Sequence, residues 1–106
     1  MVQGTLEMLI LKTLRLGPIH GHAIAKHIQR TSEEVLQVET GSLYPALRRL
    51  EEKGWISSEW EMSSRHNREL RIYRLTRLGV KQLSAEESKW NQLVRAIAGV
   101  MASDEV

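Results

Sequence analysis

The chain has 106 residues, 42% of them hydrophobic and 26% charged, with 15 Lys and Arg against 13 Asp and Glu for a formal charge of +2. That length fits one domain and leaves no room for a catalytic domain beside a separate binding domain, and the composition excludes both a disordered chain and a membrane bundle. With no Cys in the chain, disulfide frameworks, thiolate metal sites and cysteine nucleophiles are excluded too.

Leu6, Leu9, Ile10 and Leu14 recur at helical spacing and predict a first helix over residues 5–16, stopped by Gly17-Pro18. A short second helix over about 21–30 turns Ala23, Ile24 and Ile28 inward and Lys26, His27 and Arg30 outward. Val35, Leu36 and Val38 then lead to Thr40-Gly41-Ser42, whose small hydroxyl residues suit a helix start. The third helix buries Leu43, Ala46, Leu47 and Leu50, leaves Ser42, Pro45, Arg48, Arg49 and Glu52 on other faces, and ends where Gly54 suits a left-handed cap. Pro45 either marks the start of regular helix near Tyr44 or removes one hydrogen bond just past the first turn.

From Trp55 to Glu61 the period changes to two, which predicts a strand, and residues 70–75 predict a second. Together they form a β-hairpin. Its tip, Ser63-Ser64-Arg65-His66-Asn67-Arg68, lacks Gly, so a longer mobile loop able to reach a partner is expected in place of a two-residue turn. Trp55 reads as core, while Trp60 can face either the core or the space between two subunits. Thr76 suits the N-cap of a last, long helix, flanked by Leu75 and Val80 in the places of a hydrophobic staple. Leu83, Trp90 and Ile97 recur every seven residues with Leu93, Val94, Val100 and Met101 between them, a coiled-coil-like seam. A helix of roughly 20 residues is about 30 Å long, comparable to the whole body, so its far half is expected to meet a second subunit.

The charge is unevenly placed. Arg65, Arg68, Arg71, Arg74 and Arg77 face only Glu69, a local +4, whereas residues 84–106 carry a local −2. Five arginines with no lysine favour planar donors for phosphates or base edges. No stretch approaches the roughly 20 apolar residues that span a bilayer, and residues 1–10 lack a basic region followed by a cleavable apolar core; a cytoplasmic location with no membrane partner is expected.

Three helices followed by a hairpin with an arginine-rich tip is the element order of a winged helix-turn-helix. The chain resembles the PadR-type transcriptional regulators in Gly4-Thr5-Leu6, Leu9-Ile10-Leu11, Gly17-Pro18-Ile19-His20-Gly21 with Ile24, and Gly41-Ser42-Leu43-Tyr44-Pro45-Ala46-Leu47-Arg48-Arg49-Leu50-Glu51. Gly54-Trp55-Ile56, Tyr73-Arg74-Leu75-Thr76 and Gly79 extend the match in the family's order and spacing. The short C-terminal segment is similar to the small subgroup that ends in one dimerising helix. Two positions depart: His22 stands where the family usually has Tyr, and Arg65–Glu69 where its wing usually has Gly or Pro.

The resemblance implies a fold that is mainly α with a small β-hairpin: a winged helix-turn-helix DNA-binding domain over residues 1–76, then a long C-terminal dimerisation helix and short tail over 77–106. It implies a sequence-specific DNA-binding regulator, a homodimeric repressor on a pseudo-palindromic operator in double-stranded DNA, released by a small-molecule effector. The start of the third helix then meets DNA, and the Thr40, Ser42 and Tyr44 hydroxyls suit phosphate oxygens. Arg48 and Arg49 can approach phosphates or guanine edges, or one can pair with Glu52. Arg65, His66, Asn67 and Arg68 can enter the minor groove, touch the backbone or form a solvated loop. Arg71 and Arg74 lie on opposite strand faces and cannot both point at one DNA surface. The dimer seam is expected to use Leu83, Trp90, Leu93, Val94 and Ile97. In the subgroup an aromatic residue on this helix can line a pore for flat apolar molecules, which makes Trp90 the candidate effector contact, against plain packing.

Competing readings are weaker. His20, His22 and His27 lie close in sequence, but neither the spacing of two nor that of five shares a helix face, so no metal and no cofactor is expected, and packing or capping accounts for them. An enzyme is not expected, because no phosphate-binding glycine loop, nucleophile elbow or paired-carboxylate site appears. The alternative is a winged-helix module that binds protein in place of DNA, which has no need of a basic wing.

Overall fold

Apolar residues at helical spacing at the two ends of the winged region, and alternating ones between, fold as their periods require. The computed structural model describes residues 4–105; residues 1–3 and 106 of the two expected segments lie outside the described residues. In chain order the elements are α1 (Thr5–Leu14), β1 (Ile19–His20), α2 (Gly21–Thr31), α3 (Thr40–Glu52), β2 (Ile56–Ser63), β3 (Arg68–Leu75) and α4 (Arg77–Ala102). Ile10, Leu11 and Leu14 of α1, Ile24 and Ile28 of α2, and Leu43, Ala46, Leu47 and Leu50 of α3 are buried together against Ile56 and Tyr73 of the sheet. The stripe expected on the third helix is therefore the one that packs, and its burial is the main force holding α3 against the body. Among the described residues no helix is long and apolar enough to cross a membrane.

Around Pro45 the helix is regular. The Glu39 carbonyl accepts the N–H groups of Ser42 and Leu43 at 3.0 and 2.9 Å, so α3 already begins at Thr40. Pro45 thus lies inside the helix, and its missing N–H removes the i→i−4 bond that the Gly41 carbonyl would accept. Thr40 and Ser42 belong to the first turn, and the N-cap, Glu39, makes no side-chain capping bond. Gly54 follows at φ 77, the left-handed geometry expected there.

The sheet has three antiparallel strands in the order β1-β3-β2, one more than the hairpin expected from sequence. Ile19 and His20 pair with Tyr73 and Ile72, covering part of the otherwise free edge of β3. Two residues carry no readable period, so β1 exists only through this pairing. The hairpin is longer than expected, its register running from Ile56↔Leu75 to Ser63↔Arg68. Only residues 64–67 remain as the turn. Asn67, at φ 51, takes the left-handed position that Gly would otherwise fill, and the Ser63 hydroxyl accepts the His66 N–H at 3.2 Å. The connection is longer than a two-residue turn, as expected, and it is closed by this hydrogen bond.

At the start of α4, Thr76 Oγ1 accepts the Gly79 N–H at 3.0 Å and donates to the Gly54 carbonyl at 2.7 Å, as its expected N-cap role requires. Gly79 and Leu83 are buried against the winged body. Leu83 is a correction: expected in the intersubunit seam, it is 3% exposed within the protomer's own core. Its seven-residue spacing from Trp90 continues the helix period but crosses from one packing environment into another. From Ser88 onward α4 is exposed on every face. With 26 residues it is about 39 Å long, and it draws the molecule out to 60 × 29 × 22 Å.

Candidate nucleic-acid interface

With Leu43, Ala46, Leu47 and Leu50 turned inward, helical geometry turns Thr40, Ser42, Tyr44, Pro45 and Arg48 to solvent. Gly21, at the start of α2, makes room for the Tyr44 ring: a Cβ there would lie 3.1 Å from Tyr44 Cε1 and 3.2 Å from its hydroxyl. The ring is thereby held across the α2–α3 junction with its phenol accessible, and 43% of the residue remains exposed. Tyr44, Arg48, Glu51, Arg71 and Tyr73 line a groove of about 480 Å³ between α3 and the wing. Burial pushes the Tyr73 phenol above its ordinary value, Arg71 partly opposing this, so the groove floor is a neutral hydroxyl.

The two arginines of α3 differ. Arg49 donates to Glu7 of α1 at 2.7 Å, and Lys53 reaches the same carboxylate at 3.6 Å. Arg49, expected to touch DNA or to pair with Glu52, is instead part of an α1–α3 tie made by a residue 42 positions away. Arg48 has no carboxylate within ion-pair distance among the described residues and carries the free positive charge of the exposed face.

The five-arginine block divides in the same way. Arg71 donates to Ser58 at 2.8 Å and reaches Glu51 at 3.4 Å, while Ser58 donates to Glu51 at 2.8 Å, a network joining β3, β2 and α3. On the opposite face Arg74 bridges Glu59 and Glu61 at 3.2 and 2.9 Å. Both are therefore committed within the protein, and on the opposite faces that strand alternation requires. Arg77 starts α4, at the far end of β3 from the turn. What remains at the wing tip is Arg65 and Arg68, exposed and unpaired among the described residues, with exposed His66 and Asn67. Two of the five arginines are thus neutralised within the protein; of the three without a carboxylate partner among the described residues, Arg65 and Arg68 are at the wing tip and Arg77 is at the far end of the hairpin.

A second cavity, of about 690 Å³, lies between the wing, α2 and α3; His20, His22, Lys26, Tyr44, His66 and Arg68 are on its wall. Sequence reasoning missed Lys26 and His22 as neighbours of the wing, although their spacing of four puts them on one helix face. Trp60 lies outside the protomer's core: it is 60% exposed on the α3-facing side of β2, with the Arg71 guanidinium 5.6 Å from its ring. Trp55 packs on the core with Lys53 Nζ 4.6 Å from its ring.

On α4, Trp90, Leu93, Val94 and Ile97 are 43–52% exposed in the protomer. Trp90 and Leu93 line a shallow cavity of about 250 Å³ with Thr5, Met8, Glu86 and Lys89. Among the described residues no group of three or more His, Asp or Glu side chains is arranged to hold a metal ion.

The sequence profile described as the transcriptional regulator PadR-like family matches residues 10–85. Among solved structures, a PadR family transcriptional regulator from Eggerthella lenta is 31% identical, with a TM-score of 0.79 over 96% of this chain and 86% of that one. A transcriptional regulator from Clostridium thermocellum is 26% identical, with a TM-score of 0.82 over 95% and 96% of the two chains. A PadR family transcription regulator from Clostridium difficile is 26% identical, with a TM-score of 0.79 over 93% and 100%. No protein of curated function matches the chain in sequence.

Proposed function

Because the chain belongs to the PadR-like family of transcriptional regulators, we propose that it is a homodimeric repressor of a pseudo-palindromic operator, released by a small-molecule effector, and not an enzyme. The observation that carries this reading is one accessible surface: Thr40, Ser42, Tyr44 and Arg48 on α3, continued by Arg65 and Arg68 at the wing tip, where every guanidinium lacks a carboxylate partner among the described residues. The first turn of α3 and its hydroxyls position the protein on phosphates, Arg48 reaches into the major groove, and the wing arginines neutralise the flanking backbone. Arg49, held by Glu7, keeps α3 in place on α1.

Dimerisation supplies the second half-site. Trp90, Leu93, Val94 and Ile97, left about half exposed with only α1 beside the first two, form a strip on α4, and a second copy of the helix buries it. In that assembly the first turns of α4, with Leu83, belong to the winged body, and residues 88–101 to the interface. Two third helices then stand about one DNA turn, roughly 34 Å, apart. A flat apolar molecule beside Trp90 releases DNA only by binding better to a helix separation that mismatches the operator.

The test is a mobility-shift titration with promoter DNA from the gene's own neighbourhood, at two salt concentrations and with random duplex as competitor. Specific, salt-sensitive binding by a dimer is expected, since each neutralised phosphate releases counterion. Binding no tighter than to random duplex at either salt overturns the operator reading and leaves a winged helix that binds protein.

A further inference from the structure

Three of the chain's four histidines, His20 and His22 from one segment and His66 from a distant one, line one cavity between the wing tip and the start of α2. The His20 and His66 rings are 5.8 Å apart at 80°, and the His20 and His22 rings 6.4 Å apart and nearly parallel. They share their cavity with Lys26 of α2, Tyr44 of α3, and Arg68, Glu69 and Arg71 of the wing. Of these side-chain classes only imidazole ordinarily changes charge between pH 5 and 8.

The hydrogen bonds give the three rings different roles. His20 Nδ1 accepts the Ala23 N–H at 3.3 Å, capping α2. A protonated imidazole has no acceptor, so charging His20 breaks its cap. Burial, and then His66, His22 and Arg68, hold the His20 imidazole below its ordinary value, which keeps it neutral. His66 Nδ1 lies 2.9 Å from Ser63 Oγ, a hydroxyl that serves as donor to the neutral ring or as acceptor from the charged one. His66 therefore takes a proton without losing its anchor, and its exposed position at the tip lets the charge face a ligand.

We propose that His66, with His22 on the wall of the same cavity, is a proton-gated contact to a DNA phosphate, so that DNA binding takes up a proton and tightens as pH falls through the imidazole range. The inference rests on the DNA-binding reading above and adds a regulated contact to it. Lys26 and Arg68 can seat a phosphate in this cavity, which also holds Glu69 and the internally paired Arg71, and an anion placed beside an imidazole favours the ring's charged form. By linkage, a proton bound only in the complex makes affinity fall as pH rises, by up to about tenfold per pH unit.

Because the contact is to backbone, a random-sequence duplex of about 25 base pairs reads it without knowledge of the operator. At constant ionic strength the wild-type affinity should be about tenfold higher near pH 5.5 than near pH 8, as linkage to a proton bound with the DNA requires. His22→Gln with His66→Gln should remove most of that dependence, His66→Lys should give tight binding at both ends, and His27→Gln, outside the cluster, should retain the wild-type dependence. Salt-sensitive binding that is flat with pH in the wild type, or equally steep in the His22/His66 double variant, overturns this inference alone. An absence of binding to any duplex at any pH and low salt removes the DNA-binding reading as well.

Discussion

Gly79→Ala tests how α4 is joined to the winged body. A Cβ built at Gly79 lies 1.9 Å from the Trp55 carbonyl oxygen, 2.9 Å from its carbon and 2.8 Å from Leu75 Cδ1. Leu75 can give way; the Trp55 carbonyl cannot, because it also accepts the Thr76 N–H at 3.1 Å. To reach even 3.0 Å, the tightest separation real Cβ atoms respect, α4 must move out by about 1.1 Å. Overpacking of this kind costs about 1–3 kcal/mol, and weakening the Thr76 bond adds roughly 1 kcal/mol. For a domain of about 100 residues that is a fall in Tm of roughly 10 °C or more, read by calorimetry. Gly99→Ala is the matched control, since nothing within the protomer lies within 4 Å of its Cβ position; the helix gains roughly 0.5–1 kcal/mol there. A Gly79→Ala protein as stable as the wild type would refute the close approach of α4 to Trp55. On the proposed dimer, in which α4 sets the half-site distance, the displacement should also weaken operator binding more than random-duplex binding.

Arg68→Ala should weaken binding to operator and random duplex alike and lower the salt slope by about 0.9, the value of one phosphate contact; an unchanged slope removes Arg68 from the contact surface. Arg74→Ala should leave that slope intact and cost at most about 1 kcal/mol in chemical denaturation, since its bridges to Glu59 and Glu61 are half exposed. A reduced slope would show that Arg74 reaches DNA. Ile97→Asp should convert the dimer to a folded monomer in analytical ultracentrifugation, and a persisting dimer means that the strip on α4 is not the interface. Leu83→Asp, by contrast, should unfold the protomer, because Leu83 is 3% exposed and a carboxylate there has no partner.

Much of the fold is legible in the chain because it depends on local repetition. The apolar stripe of α3, the change of period at Trp55 and the Thr76 cap each follow from residues within a few positions of one another, and so do the element order and the family resemblance. The exposure of Thr40, Ser42, Tyr44 and Arg48, the residues proposed to meet DNA, is legible for the same reason: once Leu43, Leu47 and Leu50 are inward, helix geometry leaves no other side for them.

What the tertiary structure alone decided is which charges are free and which apolar residues already have a partner. Arg48 and Arg49 are neighbours in sequence, yet Glu7 takes one and leaves the other, and Glu51, Glu59 and Glu61 neutralise two arginines of a block that looked uniformly basic. Leu83 and Trp90 share a heptad, yet one closes the protomer's core and the other is left uncovered. The two-residue strand β1 and the meeting of His20 and His22 with His66 have no local signal whatever, since their partners are some fifty residues away along the chain. A period records which way a side chain faces relative to its own helix or strand; pairing energies depend on what the fold brings to that face.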